Sequence, residues 1–341
     1  MFRRLLKAKV LQYLLALGLL GLVLARAWDP PGGVLGLRRL LMEHLAAGHV
    51  SISPLIGALL LLAIAVAFTI YRWHLLLKAL GMGIPAGETA RLGCIGFYFN
   101  TLLPGSIGGD LVKAAVVARQ FPGRRIQAVA TVLLDRGFAL WNLVLFVALM
   151  SIAMPPEHPT MARLGLMARV FCLVSIGLWW ALGFLPLWRA ERFAMRLKRW
   201  FPGVGLLVGE LWLALYRYRQ NPWTILAALA LSAISQTAFI FSVVCVGWGM
   251  RLGESMPGAP SHFLLVPMAM MVNAIPLFPG GLGIGEWGYG ALYGFMGGDE
   301  GAGVAVSLGH RVANWLLAGL TLLTITMVGA TERPSGPTES A

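Results

Sequence analysis

The chain carries one awkward pattern twice. NTLLPGSIGGD at 100–110 and NAIPLFPGGLGIGE at 273–286 each lie inside an apolar segment, yet each is dense in Pro and Gly and ends on a carboxylate. Arg136 follows Pro104 by 32 residues, and Arg311 follows Pro279 by the same 32. Both arginines fall inside long apolar runs. Proline removes a backbone donor and glycine admits conformations that other residues avoid, so neither stretch continues a regular helix. If the segments lie in hydrocarbon, backbone groups freed at such a break must be buried in protein or line a wet cavity. An arginine there costs about 2.5–3.5 kcal/mol on insertion scales and faces a cavity or a partner.

Composition puts them in hydrocarbon. The 341 residues are 58% hydrophobic and 12% charged, whereas soluble domains carry about 25% charged residues. Such a surplus of apolar side chains needs lipid rather than a core to cover it. The net charge of +13 fits basic cytoplasmic loops facing anionic headgroups. Membrane lipids with anionic headgroups are therefore the expected partners. Nucleic acid is not, because no basic soluble segment is present to bind it. Cys94, Cys172 and Cys245 lie in apolar surroundings without metal-ligand spacing and read as small buried hydrophobes. Neither a metal nor a cofactor is expected.

Residues 10–25, behind Arg3, Arg4, Lys7 and Lys9, read as an uncleaved first span with a cytoplasmic N-terminus rather than a signal peptide. Residues 37–47 mix Leu with Arg38, Arg39, Glu43 and His44 at helical spacing, as a helix on the membrane surface does. A second span, 51–71, returns to a cytoplasmic side marked by Arg72, Lys78 and Arg91. The apolar stretch 92–103 has about half of the roughly 20 residues a crossing needs. Basic residues flank this broken element on both sides, so it reads as a re-entrant hairpin entering from the cytoplasm. Residues 126–150 go out and 166–187 return. Residues 188–222, with seven basic and two acidic side chains, form the largest cytoplasmic loop, whose Arg/Trp/Leu pattern suggests amphipathic helices on the lipid surface. Residues 223–246 go out again, with Thr224, Ser232, Ser235, Gln236 and Ser242 within about 120° of one another on a 3.6-residue wheel. The loop 297–303 has no Lys or Arg, so the second broken element, 262–296, enters from outside, and 304–328 returns.

The expected fold is thus an all-α polytopic membrane protein with about six transmembrane helices and two re-entrant hairpins. It is one membrane domain in two halves, about 1–154 and about 165–330, with a short polar tail at 331–341. Each half reads span, span, hairpin, span, in opposite orientations, which is an inverted-topology repeat. In transporters such repeats place the substrate where the broken segments meet. Gly and Pro are common in membrane helices at large; the matched 32-residue spacing argues for the repeat against that plainer account.

Each hairpin starts a new helix just beyond its glycines, where free N–H groups and the positive end of the helix dipole suit a phosphate or carboxylate. Glycines also permit close approach of backbone to a ligand or, alternatively, tight packing of the hairpin helices. The candidate headgroup residues are Arg136, Arg311 and Lys113, with Asn100, Gly105, Ser106, Gly108 and Gly109 in the first break and Gly280, Gly281 and Gly283 in the second. Asp110, Asp135, Glu286 and His310 are candidates for gating or proton coupling. Asp135 adjoins Arg136, but neighbouring helix residues diverge by about 100° and do not form a simple pair. Polar stripes accompany the arginines: Gln127, Thr131, Asp135 and Asn142 in the first half, and Ser307, His310, Arg311 and Asn314 in the second. They fit an anion-binding cavity between the halves. The competing account is structural, with Arg136 paired to Asp110 and Arg311 to Glu286, fixing each hairpin to its span.

Other motifs carry less. GIGEWG at 283–288 matches a dinucleotide-binding glycine spacing, but no strand precedes it. GGDE at 297–300 is a short loop without a catalytic domain. No HExxH, Walker loop or serine nucleophile elbow occurs, so neither ATP-driven transport by this chain alone nor enzyme chemistry is expected.

FYFNTLLPGSIGGDLVKAAVVAR at 97–119, IPLFPGGLGIGE at 275–286, the embedded Asp135-Arg136 and Arg72-Trp73 together resemble the flippase-like membrane domain of lysylphosphatidylglycerol synthases. The same pattern runs through related stand-alone bacterial and archaeal membrane proteins, and the resemblance covers nearly the whole chain. It implies translocation of a lipid with a polar headgroup between leaflets of the bacterial inner membrane, with both termini cytoplasmic and lipid-synthesis enzymes as possible partners. An aminoacylated phospholipid, a hopanoid-type lipid and a polyprenyl-linked lipid all belong to the implied class. The bifunctional synthases continue into a cytoplasmic aminoacyl-transferase domain; this chain stops at Ala341, so lipid aminoacylation is not expected of it. Two other classes stay open: a membrane-embedded enzyme using Asp110 or Glu286 as a base on lipid-linked sugars or phosphates, and an accessory subunit of a lipid-synthesis complex.

Overall fold

A computed structural model describes residues 2–29, 36–39, 42, 50–102, 108–181, 184, 187–200, 205–274 and 281–331. Among these residues every regular element is helical. In chain order the α-helices are α1 (Phe2–Trp28), a single turn α2 (Leu37–Arg39), α3 (Ile52–Ala79), α4 (Ala86–Leu102), α5 (Gly108–Gln120), α6 (Arg125–Ala153) and α7 (Pro159–Ala181). There follow α8 (Leu187–Trp200), α9 (Gly205–Arg219), α10 (Pro222–Gly249), α11 (His262–Asn273), α12 (Ile284–Phe295) and α13 (Glu300–Thr331). The breaks themselves, 103–107 and 275–280, and most of the expected surface helix at 37–47 lie outside the described residues.

Four helices, α3, α6, α7 and α10, are long and apolar enough to cross a membrane. The first and last expected spans coincide with α1 and α13, helices of 27 and 32 residues. Outward faces carry bare apolar side chains; on α7 alone Leu166, Phe171, Leu173, Val174, Leu178 and Trp180 are all exposed. An unbroken apolar face of that size suits hydrocarbon rather than water.

Four further helices, α4, α5, α11 and α12, are shorter, at 17, 13, 12 and 12 residues. They form two antiparallel pairs. At the base of the first, Gln120 Nε2 donates to Glu88 Oε1 at 2.6 Å. Halfway along, Gly96 faces the Lys113 stem, and near the break the Gly109 N–H donates to Asn100 Oδ1 at 2.8 Å. In the second pair, His262 Nε2 and Tyr293 OH lie 2.8 Å apart at the base, and Asn273 packs on Gly281 and Gly285 near the break. Glycine is required at these crossings. A Cβ on Gly109 would run into the Gly96 carbonyl oxygen, and Gly281 and Gly283 hold φ of +69° and +81°, values that side chains rarely adopt. Gly283 also leaves room for α1, since a Cβ there would sit 2.9 Å from Leu19 Cγ. The GIGEWG glycines therefore serve hairpin packing.

Helices α3 and α10 run antiparallel and are joined by hydrogen bonds. Ser242 Oγ donates to the Ala58 carbonyl and Ser235 Oγ to the Ala65 carbonyl, each at 2.8 Å, and Thr69 Oγ1 lies 2.9 Å from Ser235 Oγ. The polar stripe foreseen on α10 is thus largely interhelical glue, in which such bonds contribute about 0.6 kcal/mol each. The first helix of each pair also packs against a long helix outside it: α4 on α13, and α11 on α6.

Some boundaries and burials differ from the sequence reading. The second expected span does not stop at residue 71; α3 runs on to Ala79 because Arg72 is met by a buried carboxylate rather than by water. Similarly α7 begins at Pro159 rather than 166. Of the cysteines only Cys172 is buried; Cys94 and Cys245 are half-buried.

Candidate functional site

A cavity of about 390 Å³ is lined by residues of α3–α6 and α10–α13. Four cationic side chains, Arg72, Lys113, Arg136 and Arg311, line it against two carboxylates, Asp110 and Asp135.

Asp110, in the first turn of α5, is the hub of one charged cluster. Arg136 of α6 donates through Nε to its Oδ2, while Lys113 Nζ lies 3.1 Å and Asn100 Nδ2 3.3 Å from its Oδ1. Lys113 also sits over the Trp73 ring, 4.8 Å from the centroid, in a space left by Gly96, where a Cβ would come 2.7 Å from Lys113 Cδ. A cation held between a carboxylate and an aromatic face tolerates burial.

A second cluster, on α12 and α13, has one carboxylate and one arginine. Glu286, fully buried in the first turn of α12, accepts from Arg311 Nε at 2.8 Å through Oε1 and from the Gly283 N–H at 2.7 Å through Oε2. Arg311 also donates to the Gly281 carbonyl at 3.4 Å. The two arginines differ in access: the Arg136 side chain is 39% exposed and that of Arg311 15%.

A further ion pair crosses the centre. Arg72 Nε donates to Asp135 Oδ1 at 2.8 Å and its Nη1 donates to Ser232 Oγ of α10 at 2.8 Å. Both charged side chains are almost wholly buried. Asp135 turns away from Arg136, as helix geometry requires, and finds its cation on α3 instead.

Four polar atoms of lining residues are buried without a hydrogen-bond partner among the described residues: Trp73 Nε1, Asn142 Oδ1, Asn273 Oδ1 and His310 Nε2. Asn314 Nδ2 lies 3.1 Å from His310 Nδ1. An Nδ1 that accepts leaves the ring proton on Nε2. The four atoms are buried within the packing rather than open to the void, Asn273 Oδ1 facing Gly281 and Gly285.

Of the residues singled out by sequence, Asn100, Asp110, Lys113, Asp135, Arg136, His310 and Arg311 come together on the cavity wall. Glu286 lies behind Arg311 rather than on the wall, and Gly108, Gly109, Gly281 and Gly283 stand apart from the lining. The Gly109 and Gly283 N–H groups near the helix starts are already taken by Asn100 and Glu286. These two amides are therefore not free for a ligand. Gly105, Ser106 and Gly280 lie outside the described residues. Within the polar stripe of α6, Gln127 accepts from Arg124 at 2.7 Å and Thr131 donates to the Ala128 carbonyl at 2.7 Å, so only Asp135 and Asn142 reach the cavity. All four stripe residues of α13 reach it. Sequence reasoning did not place Arg72 and Ser232 at the site. The available signals were Arg72-Trp73 in the family resemblance and an Asp135 with no cation three or four residues away on its own helix.

Long apolar helices enclosing a polar, charge-lined cavity define a multi-pass α-helical membrane protein. The chain belongs to the family described as the lysylphosphatidylglycerol synthase TM region, whose model matches residues 10–321, nearly its whole length. Membership ties it to lipid-related processes. No curated protein shows a significant match to the chain.

Proposed function

We propose that the chain is a flippase-like transporter that moves a lipid with an anionic, phosphate-bearing headgroup between membrane leaflets, and that the headgroup binds in the central cavity. One observation carries this reading: a cavity of about 390 Å³ among apolar helices, ringed by four cations against two carboxylates. Its size is that of a small-ligand site, roughly 300–1,000 Å³. Arg136 and Arg311 supply planar donors that match phosphate oxygens, and Lys113 adds a point charge. Asp110 and Glu286 hold those cations until a headgroup displaces them; Asp135 and His310 are placed to adjust protonation in the same space.

Alternating access follows from the two halves acting as an inverted repeat, with the hairpins re-entrant from opposite faces and both termini cytoplasmic. The exchanged packing of α4 on α13 and α11 on α6, and the antiparallel pairing of α3 with α10, support that arrangement. So does the recurrence of a hairpin carboxylate bound to an arginine on the next long helix. The carboxylates that an embedded enzyme would use as base, Asp110 and Glu286, are both engaged by arginine, which favours transport over chemistry.

Native mass spectrometry of the protein released from membranes tests this. The wild-type chain is expected to retain a phosphate-bearing lipid, and Arg136→Ala/Arg311→Ala to lose it. Retention of neutral lipid alone, or unchanged retention in the double variant, counts against the proposal.

A further inference from the structure

A second cavity, of about 380 Å³, lies between α3, α4 and α13. Ala63, Ala67, Ala90, Cys94 and Leu317 form most of an apolar wall, and the small alanines keep it open. Its few polar side chains are largely spoken for: His74 Nδ1 lies 3.1 Å from Thr89 Oγ1, whose hydroxyl also donates to the Pro85 carbonyl at 3.1 Å. Nothing in this groove recruits a headgroup or ordered water.

The groove is not isolated. Val66 and Ile70 line both it and the central cavity, so the two voids abut across those side chains. Gly93 makes this possible, because a Cβ there would collide with the Ile70 side chain. The outer side of the groove is reached from the surface of the bundle, where Ala67, Tyr71 and Ala90 are exposed. A polar void with cations on one side of Ile70 and an apolar void open to the surroundings on the other reproduce the two ends of one amphiphile.

We infer that this groove holds an acyl chain of the same lipid whose headgroup occupies the central cavity, an inference that rests on the headgroup reading above. The chain enters sideways from the bilayer between α3, α4 and α13, and Ile70 and Val66 mark the boundary between headgroup and tail. Burying methylene groups there adds affinity that a free phosphate lacks, which selects lipids over soluble anions.

The test uses the full-length protein in phosphatidylcholine vesicles containing a phosphatidylglycerol with a diazirine in its acyl chain. After irradiation, adducts are mapped by peptide mass spectrometry. Adducts are expected to concentrate on the groove positions of α3, α4 and α13, above those on the equally lipid-exposed α7. Ala67→Trp/Ala90→Trp fills the groove without touching the cavity. It is expected to lower groove labelling at least about tenfold, the equivalent of about two buried methylenes. Adducts spread evenly over all exposed helices, or groove labelling that the tryptophans leave unchanged, overturn the inference. Groove labelling that survives Arg136→Ala/Arg311→Ala also overturns it, because the occupant is then a lipid without its headgroup in the cavity. Lipid retention by mass spectrometry reads the headgroup site separately, so failure of the groove and failure of the headgroup reading give different results.

Discussion

Arg72→Ala is expected to lower the unfolding free energy by about 3–5 kcal/mol, because it removes one partner of a buried ion pair. The Arg72 and Asp135 side chains are 3% and 5% exposed. Without the guanidinium, an ionised carboxylate is stranded in the centre of the bundle, and Ser232 loses the donor that ties α10 to α3. Arg72→Lys should recover only part of the loss, since one ammonium on a flexible stem does not serve Asp135 and Ser232 as the planar fork does. Asp135→Asn should cost less than Arg72→Ala, as its side-chain oxygen still accepts from Arg72 Nε. Thermal denaturation of the purified protein in detergent reads all three. Equal stability of Arg72→Ala and wild type would show that the pair is not a structural centre.

The second large effect is on transport. Arg136→Ala/Arg311→Ala is expected to reduce headgroup translocation in proteoliposomes by roughly two orders of magnitude or more. A hydrogen bond to a charged group contributes about 1.5–3 kcal/mol, and the variant removes one cationic donor from each half. Stability should respond unevenly. Arg311 is the less exposed of the two and binds a fully buried Glu286, so its loss weakens the fold more than loss of the half-exposed Arg136. A variant pair that folds and translocates at the wild-type rate would remove the arginines from the site.

The 32-residue interval from proline to arginine was legible because it survives in linear sequence. It pointed to the Asp110–Arg136 and Glu286–Arg311 pairs that the structure contains. Arg72 was not legible. At the end of an apolar run and close to Lys78, a buried arginine looks the same as one that snorkels to a headgroup; only the three-dimensional crossing of α3 and α6 gives it Asp135. The stripe on α10 was visible as a stripe, but its partners, the Ala58 and Ala65 carbonyls, belong to another helix and leave no trace in spacing. For the hairpin glycines the sequence allowed two uses, ligand approach and close packing. The structure shows packing at Gly109 and Gly281.

Under the proposed function the arginines hold a headgroup and do not merely brace the hairpins. The two roles separate in the affinity of the purified protein for a short-chain phosphatidylglycerol, compared among wild type, Arg136→Ala and Asp110→Asn. Both substitutions break the same ion pair. If Arg136 binds the headgroup, Arg136→Ala weakens binding, whereas Asp110→Asn strengthens it by removing the carboxylate that competes for the same guanidinium. Affinities that fall together in the two variants would mean that the pair is only a brace.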